Sequence, residues 1–195
     1  MNFPIPPVAT SDLAWLHEKL VVDAEAAGLL DVAYRVVDTP VGPLLLASTT
    51  VGLVKVAFVA DGAGGVLDEL SQQISPRILE APAQLDDAVR QLDEYFHGSR
   101  TRFDLPLDFR LAKGFRREVI SHLSDIGYGR TASYAEVAAS AGSPRAVRAV
   151  GTACAKNPLP VLVPCHRVVR TDGGMGQYAG GTEAKRILLR LESAV

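Results

Sequence analysis

The sequence predicts an α/β domain followed by a mostly helical domain that contains a helix-turn-helix. Val- and Leu-rich stretches with short turn signals lie before residue 60, whereas apolar residues at helical spacing dominate after residue 110. The 195 residues are 48% hydrophobic, which is enough for one or two cores. We expect a helical extension at 1–31, an α/β domain at 32–108 and a helical domain at 109–195.

The first elements are one helix and a small sheet. Ser11 precedes apolar residues at helical spacing as far as Ala24, and Gly28 is a typical residue to end such a helix. Strands are predicted at 32–37, 44–48 and 53–59, where Val and Leu are frequent. Because the connections are short and contain proline or glycine, we expect an antiparallel sheet.

Two helices and a linker complete the first region, which comprises residues 1–108; residues 109–195 form the second region. Apolar residues at helical spacing predict helices at 65–73 and 83–96. The segment 98–108, which ends in "FDLPLD", is predicted to be an extended linker toward the second domain.

The second region begins with a helix whose apolar face runs from Phe115 to Ile126 and which the turn 127–129 closes. A short helix is predicted at 133–141. Ser143 and Pro144 then suit the N-cap and the first position of a helix at 145–156, giving a helix-turn-helix. That second helix is rich in alanine, which by itself favours tight helix packing over a recognition surface.

The net charge changes sign at the boundary between the two predicted domains. Residues 1–109 hold 7 Lys and Arg against 16 Asp and Glu, a net charge of -9, whereas residues 110–195 hold 13 against 6, a net charge of +7. Clustered basic residues favour a polyanionic partner such as nucleic acid. Two alternatives stay open: a solvated surface, and an acidic–basic interface between the halves.

Several classes of protein are disfavoured. No apolar stretch approaches the ~20 residues of a membrane span, and residues 1–7 lack the basic start and apolar core of a signal peptide. We therefore expect a cytoplasmic protein without a membrane partner. With two cysteines, Cys154 and Cys165, neither a disulfide framework nor a thiolate zinc site is expected.

Cys165 lies in "VLVPCHRVV", at the end of an apolar run. A cysteine in this position is ordinarily a buried apolar residue. His166 beside it, Asn157 before it and the basic second region instead suit a reactive thiolate. Neighbouring Cys and His side chains diverge in an extended segment, so we expect a water molecule to bridge them.

The run "RTASYAEVAASAGSPRAVRAVGTACAKNPLPVLVPCHRVVRTDGGMGQYAGGTEAKRILLRLE" resembles the catalytic domain of the O6-alkylguanine-DNA alkyltransferases, and "PCHRVV" is specific to that family. A weaker likeness in "TPVGPLLLAS" and "LDEYFHGSRTRFDLPLD" extends it over residues 32–192. The resemblance implies a ribonuclease H-like domain at 32–108. It implies a DNA-binding and alkyl-acceptor domain with a helix-turn-helix at 109–195.

The resemblance also implies a reaction. Cys165 matches the thiol that accepts the alkyl group of O6-alkylguanine and keeps it, so that each molecule acts once. His166 matches the histidine that takes the thiol proton through water, and Glu192 matches the carboxylate that orients it. We expect this relay to lower the apparent pKa of Cys165.

Further residues match supporting roles in the family. Asn157 matches the residue that holds the turn before the acceptor cysteine, while Tyr134 and Lys185 match donors to the departing guanine. Residues that match contacts to the base are Cys165 and Val168, through their carbonyls, and Ala179, through its N–H, with Tyr178 beside it.

The implied partner is double-stranded DNA that contains O6-alkylguanine. Arg148 matches the arginine that fills the gap when the nucleotide rotates out of the duplex, and Arg145 is then expected to contact phosphate. In this family the helix-turn-helix binds the minor groove, where an alanine-rich helix fits. No cofactor or obligate protein partner is expected. No metal is expected either, because the first half has no cysteine to match the zinc ligands of some members.

Two other functions stay open. A lesion-binding relative without enzymatic activity would have another residue in place of Cys165. A cysteine hydrolase unrelated to DNA is the second alternative.

Overall fold

The computed structural model describes residues 10–193, so the features predicted from residues 1–7 lie outside the described residues. Helix α1 (Thr10–Ala26) ends before Gly28, which adopts a φ of 64°, as the sequence predicts. Nε2 of His17 lies 2.6 Å from the carbonyl oxygen of Glu80, and Gln84 donates to Glu25 at 2.6 Å. These contacts join α1 to the rest of the first region.

The three predicted strands are present as β1 (Val32–Val37), β2 (Leu44–Thr49) and β3 (Gly52–Phe58). They pair antiparallel in sequence order. The antiparallel pairing predicted for these strands is confirmed, but the sequence missed a fourth strand, β4 (Ile78–Glu80), which pairs parallel with β1 and gives the order β3-β2-β1-β4. Three residues are too few for an alternating pattern to reveal a strand.

The central strand β2 is buried on both faces, and alternate residues enter different cores. Leu45 and Ala47 pack with Leu70 of α2 (Gly64–Gln73). Leu44 and Leu46 belong to a larger core that includes Val119 and Ile120 of α4 (Phe115–Leu123) in the second region. One apolar core therefore extends from the sheet into the second region.

The helix predicted at 83–96 is a 3₁₀ turn (Pro82–Leu85) followed by α3 (Asp86–Phe96). The segment predicted as a linker is extended, but it docks on the edge of the sheet. The Leu53 N–H donates to the Pro106 carbonyl at 2.9 Å, and the Asp108 N–H donates to the Leu53 carbonyl at 2.7 Å. This segment thus forms a short parallel bridge with the outer edge of β3, between Leu107 and Leu53.

The second region contains α4, α5 (Tyr134–Ser140), α6 (Val147–Ala155) and α7 (Gly181–Ser193), with a short parallel pair between β5 (Ala132–Ser133) and β6 (Val168–Val169). Helix α4 ends at Leu123, so Ile126 lies beyond it rather than on its face. Ser133 and Glu136 form a capping box that begins α5. Within residues 10–193, no helix is both long and apolar enough to cross a membrane.

The predicted helix-turn-helix is formed by α5 and α6, but the predicted start of its second helix was wrong. Helix α6 begins at Val147 after an N-cap at Ala146, not at Arg145 after a cap at Ser143. The reason is local, since the Ala146 N–H donates to the Ser143 carbonyl at 2.8 Å and closes a separate turn. Arg145 therefore lies in the turn, and Arg148 lies in the first turn of α6.

Candidate active site

A buried turn between α6 and Cys165 positions the thiol. The Asn157 side chain donates to the Val163 carbonyl at 2.9 Å and accepts from the Leu159 N–H at 3.0 Å. Val161 has a φ of 73° and is the one non-glycine residue in 10–193 with a positive φ. This conformation costs roughly 1–3 kcal/mol, so the turn needs the contacts that surround it.

Cys165 begins a 3₁₀ turn (Cys165–Arg167), so the extended conformation expected from the sequence was wrong. The residue is 3% exposed. Burial raises the pKa of Cys165 to about 11, although the Asn157 amide and the Lys185 charge act to lower it. The expected lowering of this pKa was also wrong for the free protein, because the loss of solvation penalises the thiolate more than these groups stabilise it.

His166 is fully buried, and its Nε2 lies 2.8 Å from Oε1 of Glu192. Burial lowers the pKa of His166 more than the Glu192 carboxylate raises it, so the ring is neutral at pH 7. Because an ionised carboxylate only accepts hydrogen bonds, Nε2 carries the proton. Nδ1 has no hydrogen-bond partner in residues 10–193 and is left as the basic nitrogen.

The Glu192 carboxylate lies at the centre of a buried polar network. Arg167 contacts it twice, from Nε to Oε2 and from Nη2 to Oε1, both at 2.9 Å. Tyr95 donates to Oε1 at 2.7 Å, and the Gly129 N–H donates to Oε2 at 3.4 Å. Burial raises the pKa of Glu192, but the hydrogen bonds from His166 and Arg167 outweigh it and bring the pKa to about 2.

Sequence reasoning missed Tyr95 and Arg167 as members of this network. Arg167 is next to His166 in "PCHRVV", and a histidine followed by a basic residue was the available signal. Tyr95 is 97 residues before Glu192 in the chain, so only the packing of α3 against the second region brings them together.

Lys185 of α7 is completely buried, and its ammonium group donates to the Val168 carbonyl at 2.6 Å and to the Met175 carbonyl. Burial lowers the pKa of Lys185, while the two cysteine thiols act to raise it. The structure thus brings together Lys185 and Val168, two residues predicted for the site. The Val168 carbonyl already accepts one hydrogen bond.

Tyr134 lies half-buried at the start of α5, against the loop that precedes α7. A Cβ atom on Gly176 would lie 2.6 Å from the Tyr134 hydroxyl oxygen, and Gly176 has a φ of 66°. Only glycine fits both requirements. Burial raises the pKa of Tyr134, with smaller contributions from the Cys154 and Cys165 charges, so its hydroxyl stays protonated as a donor.

The same loop contacts the first region through Phe58. A Cβ atom on Gly180 would lie 2.4 Å from the Phe58 ring, and the ring of Tyr178 meets Phe58 edge-on at 5.7 Å. Tyr178 also meets the His166 ring edge-on at 6.2 Å. Ala179 is exposed between these contacts. The predicted base-contacting loop is therefore positioned by both regions.

Arg145 and Arg148 are exposed, and neither guanidinium has a hydrogen bond or ion pair within residues 10–193. Among the described ion pairs, the one that joins residues before and after position 109 is Arg110 with Asp108, which are close neighbours in sequence. Apart from this pair, the described residues contain no ion pair between the acidic and basic halves, so the structure does not support an acidic–basic interface between them. Nor do the described residues group three or more His, Cys, Asp or Glu as a metal site would require.

Two family models match the chain. The model described as "6-O-methylguanine DNA methyltransferase, ribonuclease-like domain" matches residues 32–109, and the one described as "6-O-methylguanine DNA methyltransferase, DNA binding domain" matches residues 114–194.

Curated proteins and solved structures are similar over most of the chain. The methylated-DNA–protein-cysteine methyltransferase of Methanosarcina barkeri is 38% identical over 82% of this chain and 96% of its own. That of Mycobacterium bovis is 40% identical, over 84% and 93%. The crystal structure of Mycobacterium tuberculosis O6-methylguanine methyltransferase has a TM-score of 0.74 and 38% identity, over 84% and 93%. A structure of Mycobacterium tuberculosis OGT in complex with DNA has a TM-score of 0.73 and 39% identity, over 83% and 93%.

Proposed function

The chain belongs to the 6-O-methylguanine DNA methyltransferase family, and from this membership we propose that it repairs DNA by moving an alkyl group from O6 of guanine onto Cys165. It is a methylated-DNA–protein-cysteine methyltransferase, and its partner is DNA. The observation that carries the assignment of residues is the buried pair of His166 and Glu192 next to Cys165 in the chain, in which a neutral imidazole contacts an ionised carboxylate and keeps Nδ1 without a partner in residues 10–193.

The thiol needs a base. With a pKa of about 11, roughly one Cys165 in ten thousand is ionised at pH 7, so proton transfer must accompany the reaction. Nδ1 of His166 takes that proton through one water molecule. The imidazolium that forms is stabilised by Glu192, whose low pKa keeps the carboxylate from taking the proton itself.

The transfer step is a displacement at the alkyl carbon. The sulfur of Cys165 forms a bond to that carbon while the carbon–O6 bond breaks, and the electron pair of the broken bond remains with the guanine. Negative charge develops on the base, and Tyr134 and Lys185 are the donors that stabilise it. The product is a thioether, which neither water nor thiol exchange cleaves, so the protein acts once.

The burial of Cys165 determines how DNA must be presented. A base stacked in a duplex cannot reach a thiol that is 3% exposed, so the modified nucleotide must rotate out of the helix. Arg148 is exposed in the first turn of α6, and this position supports the proposal that it fills the gap left in the duplex, while Arg145 in the preceding turn is proposed to contact phosphate. Once rotated, the base meets the Cys165 and Val168 carbonyls and the loop at Tyr178 and Ala179. Action on DNA fits the cytoplasmic location expected from the sequence.

A labelled substrate tests the proposal. The full chain is incubated with duplex DNA that carries O6-methylguanine with an isotopically labelled methyl group, and the protein is then digested and analysed by mass spectrometry. We expect one label per protein, on the peptide that contains Cys165. Cys165→Ala should take up no label.

Cys154→Ala is the matched control, because Cys154 is also buried, with a pKa raised by burial to about 12, but lies on α6. It should transfer normally. Binding without transfer would indicate a lesion-binding protein, and repeated turnover would indicate a hydrolytic enzyme. Label on Cys154 would overturn the assignment of the acceptor.

A further inference from the structure

Tyr95 of α3 is the one side chain of the described part of the first region that hydrogen-bonds the Glu192 carboxylate. We infer that Tyr95 is a positioning residue of the alkyl transfer, which acts through Glu192 on the orientation and basicity of His166. This inference rests on the proposed function and extends it, because it makes the first region a participant in the chemistry of the second.

The geometry allows Tyr95 little freedom. Tyr95 is fully buried, and its ring packs against Phe96, Phe103 and Tyr128 with centroid separations of 5.3, 5.2 and 6.2 Å. Rings held in this way fix the direction of the hydroxyl group. Burial raises the pKa of Tyr95 far above its ordinary value, so the hydroxyl remains a donor at every pH at which the protein works.

The position of Glu192 explains why such a donor is needed. Glu192 lies in the last turn of α7, and the last turn of a helix frays readily unless other contacts hold it. Tyr95 connects its carboxylate to a helix in another part of the fold. The tether keeps Oε1 within reach of His166 Nε2.

The hydrogen bond also tunes the charge that His166 experiences. Oε1 accepts from Tyr95, His166 and Arg167 at 2.7, 2.8 and 2.9 Å. A donor that shares this oxygen draws negative charge away from the imidazole and makes the imidazolium less stable before the reaction. Loss of the Tyr95 hydroxyl should therefore raise the pKa of His166.

Other charged and titratable groups face His166 from several elements, and none of them is removed when Tyr95 is replaced. They are Glu192 and Lys185 of α7, Arg167 of its own turn and Tyr178 of the following loop, with Cys165 adjacent to His166 in the chain. A change in the pH profile of Tyr95→Phe can thus be assigned to the missing hydroxyl.

The test measures single-turnover transfer from O6-methylguanine duplex DNA to the full chain across pH 5–9, with DNA affinity measured separately. Tyr95→Phe should lower the transfer rate constant about tenfold, as expected for the loss of a buried hydrogen bond to a charged group, and leave DNA affinity unchanged. The acid limb of its pH profile should move to higher pH, because His166 must be neutral to act as base.

Tyr128→Phe is the matched control. The Tyr128 ring lies in the same aromatic cluster, but its hydroxyl donates at 3.3 Å to the Leu191 carbonyl and not to the carboxylate. It should leave the pH profile in place. If Tyr95→Phe behaves like Tyr128→Phe, Tyr95 is merely structural and the inference fails, while transfer by the wild type leaves the proposed function standing.

A double-mutant cycle supplies a second test if Tyr95→Phe is poorly stable. In a Glu192→Gln background, Tyr95→Phe should slow transfer by no more than about twofold, because the residue through which it acts has already been changed. Equal slowing in both backgrounds would contradict the inference. Failure of the wild type to transfer the label would instead overturn the proposed function.

Discussion

The two regions of this protein use charged residues in opposite ways. In the first region, ion pairs such as Lys19 with Asp23 and Arg90 with Glu94 lie at the surface, where each contributes little to stability. In the second region His166, Arg167, Lys185 and Glu192 are buried together. Burying charge costs several kcal/mol per ion unless it is well paired, so this network is better explained by chemistry than by stability.

The first region nevertheless contributes to the site. Tyr95 reaches Glu192, the Val56 N–H donates to the Pro158 carbonyl at 2.8 Å, and Phe58 packs on Gly180. These contacts fall on the carboxylate, the buried turn and the loop before α7. The second region therefore carries the proposed reactive groups, and the first region helps to hold them.

The largest effect on the rate, short of replacing the thiol, is expected for His166. His166→Ala should slow alkyl transfer roughly 10²- to 10⁴-fold, the range for loss of a positioned general base, and leave the affinity for unmodified DNA nearly unchanged. The comparison variant is His97→Ala, an exposed histidine of the first region. Single-turnover kinetics measure the transfer rate of both variants. Equal rates for the two would contradict the assignment of His166 as the base.

Glu192→Gln should slow transfer less than His166→Ala, because the imidazole remains. It should also lower the free energy of unfolding by about 3 kcal/mol, since Arg167 then lacks the carboxylate that it contacts twice. Denaturant titration at pH 7 measures this loss. A variant with wild-type rate and stability would remove the carboxylate from the site and leave Cys165 with His166.

Acid should destabilise the second region through the same network. The pKa of Glu192 is lowered to about 2 in the folded protein, so its stabilisation is complete above the unfolded pKa and is lost as pH falls from about 4.5 through 2, a change of about 3 kcal/mol. The lowered pKa of His166 acts in the same direction, because the unfolded state takes up a proton first below about pH 6.5.

Denaturant titrations from pH 7 to pH 3 measure this dependence. The free energy of unfolding should depend less steeply on pH in Glu192→Gln than in the wild type. Asp23→Asn, which removes an exposed carboxylate that pairs with Lys19 in the first region, should leave the pH dependence nearly unchanged. If the two variants changed the pH dependence alike, the contrast between buried and surface charges would be lost.

A smaller effect is expected at the DNA-binding surface. Arg148→Ala should slow repair of duplex DNA by about tenfold or more while reaction with free O6-benzylguanine is unchanged, because only the duplex has a gap to fill. Lys19→Ala removes one positive charge from the acidic region and should change neither reaction. Equal slowing of both reactions by Arg148→Ala would make that residue structural.

The smallest effect concerns phosphate contacts. DNA affinity should fall steeply with salt and depend little on sequence, and Arg145→Ala should reduce the slope of log affinity against log salt by about one. Arg102→Ala, an exposed arginine of the first region, should leave the slope as it is. A wild-type affinity that ignores ionic strength would count against the basic surface.

Local patterns predicted many elements because their causes are local. Strands β1 to β3 follow from Val and Leu runs between turn residues, and α5 begins at the capping box of Ser133 and Glu136. The start of α6 was missed because Ser143 closes a turn with its carbonyl instead of capping the helix with its hydroxyl. Both arrangements fit the same residues, and only the path of the chain distinguishes them.

Sequence patterns were enough to predict the order of the two domains, the acidic and basic regions, and Cys165 with His166 as the candidate centre. The protonation states in that centre depend on the tertiary structure. Burial makes the pKa of Cys165 rise and that of His166 fall, and burial depends on how the whole chain packs. The pairing of Tyr95 with Glu192 has the same origin, because a contact across 97 residues leaves no periodicity or spacing in the sequence.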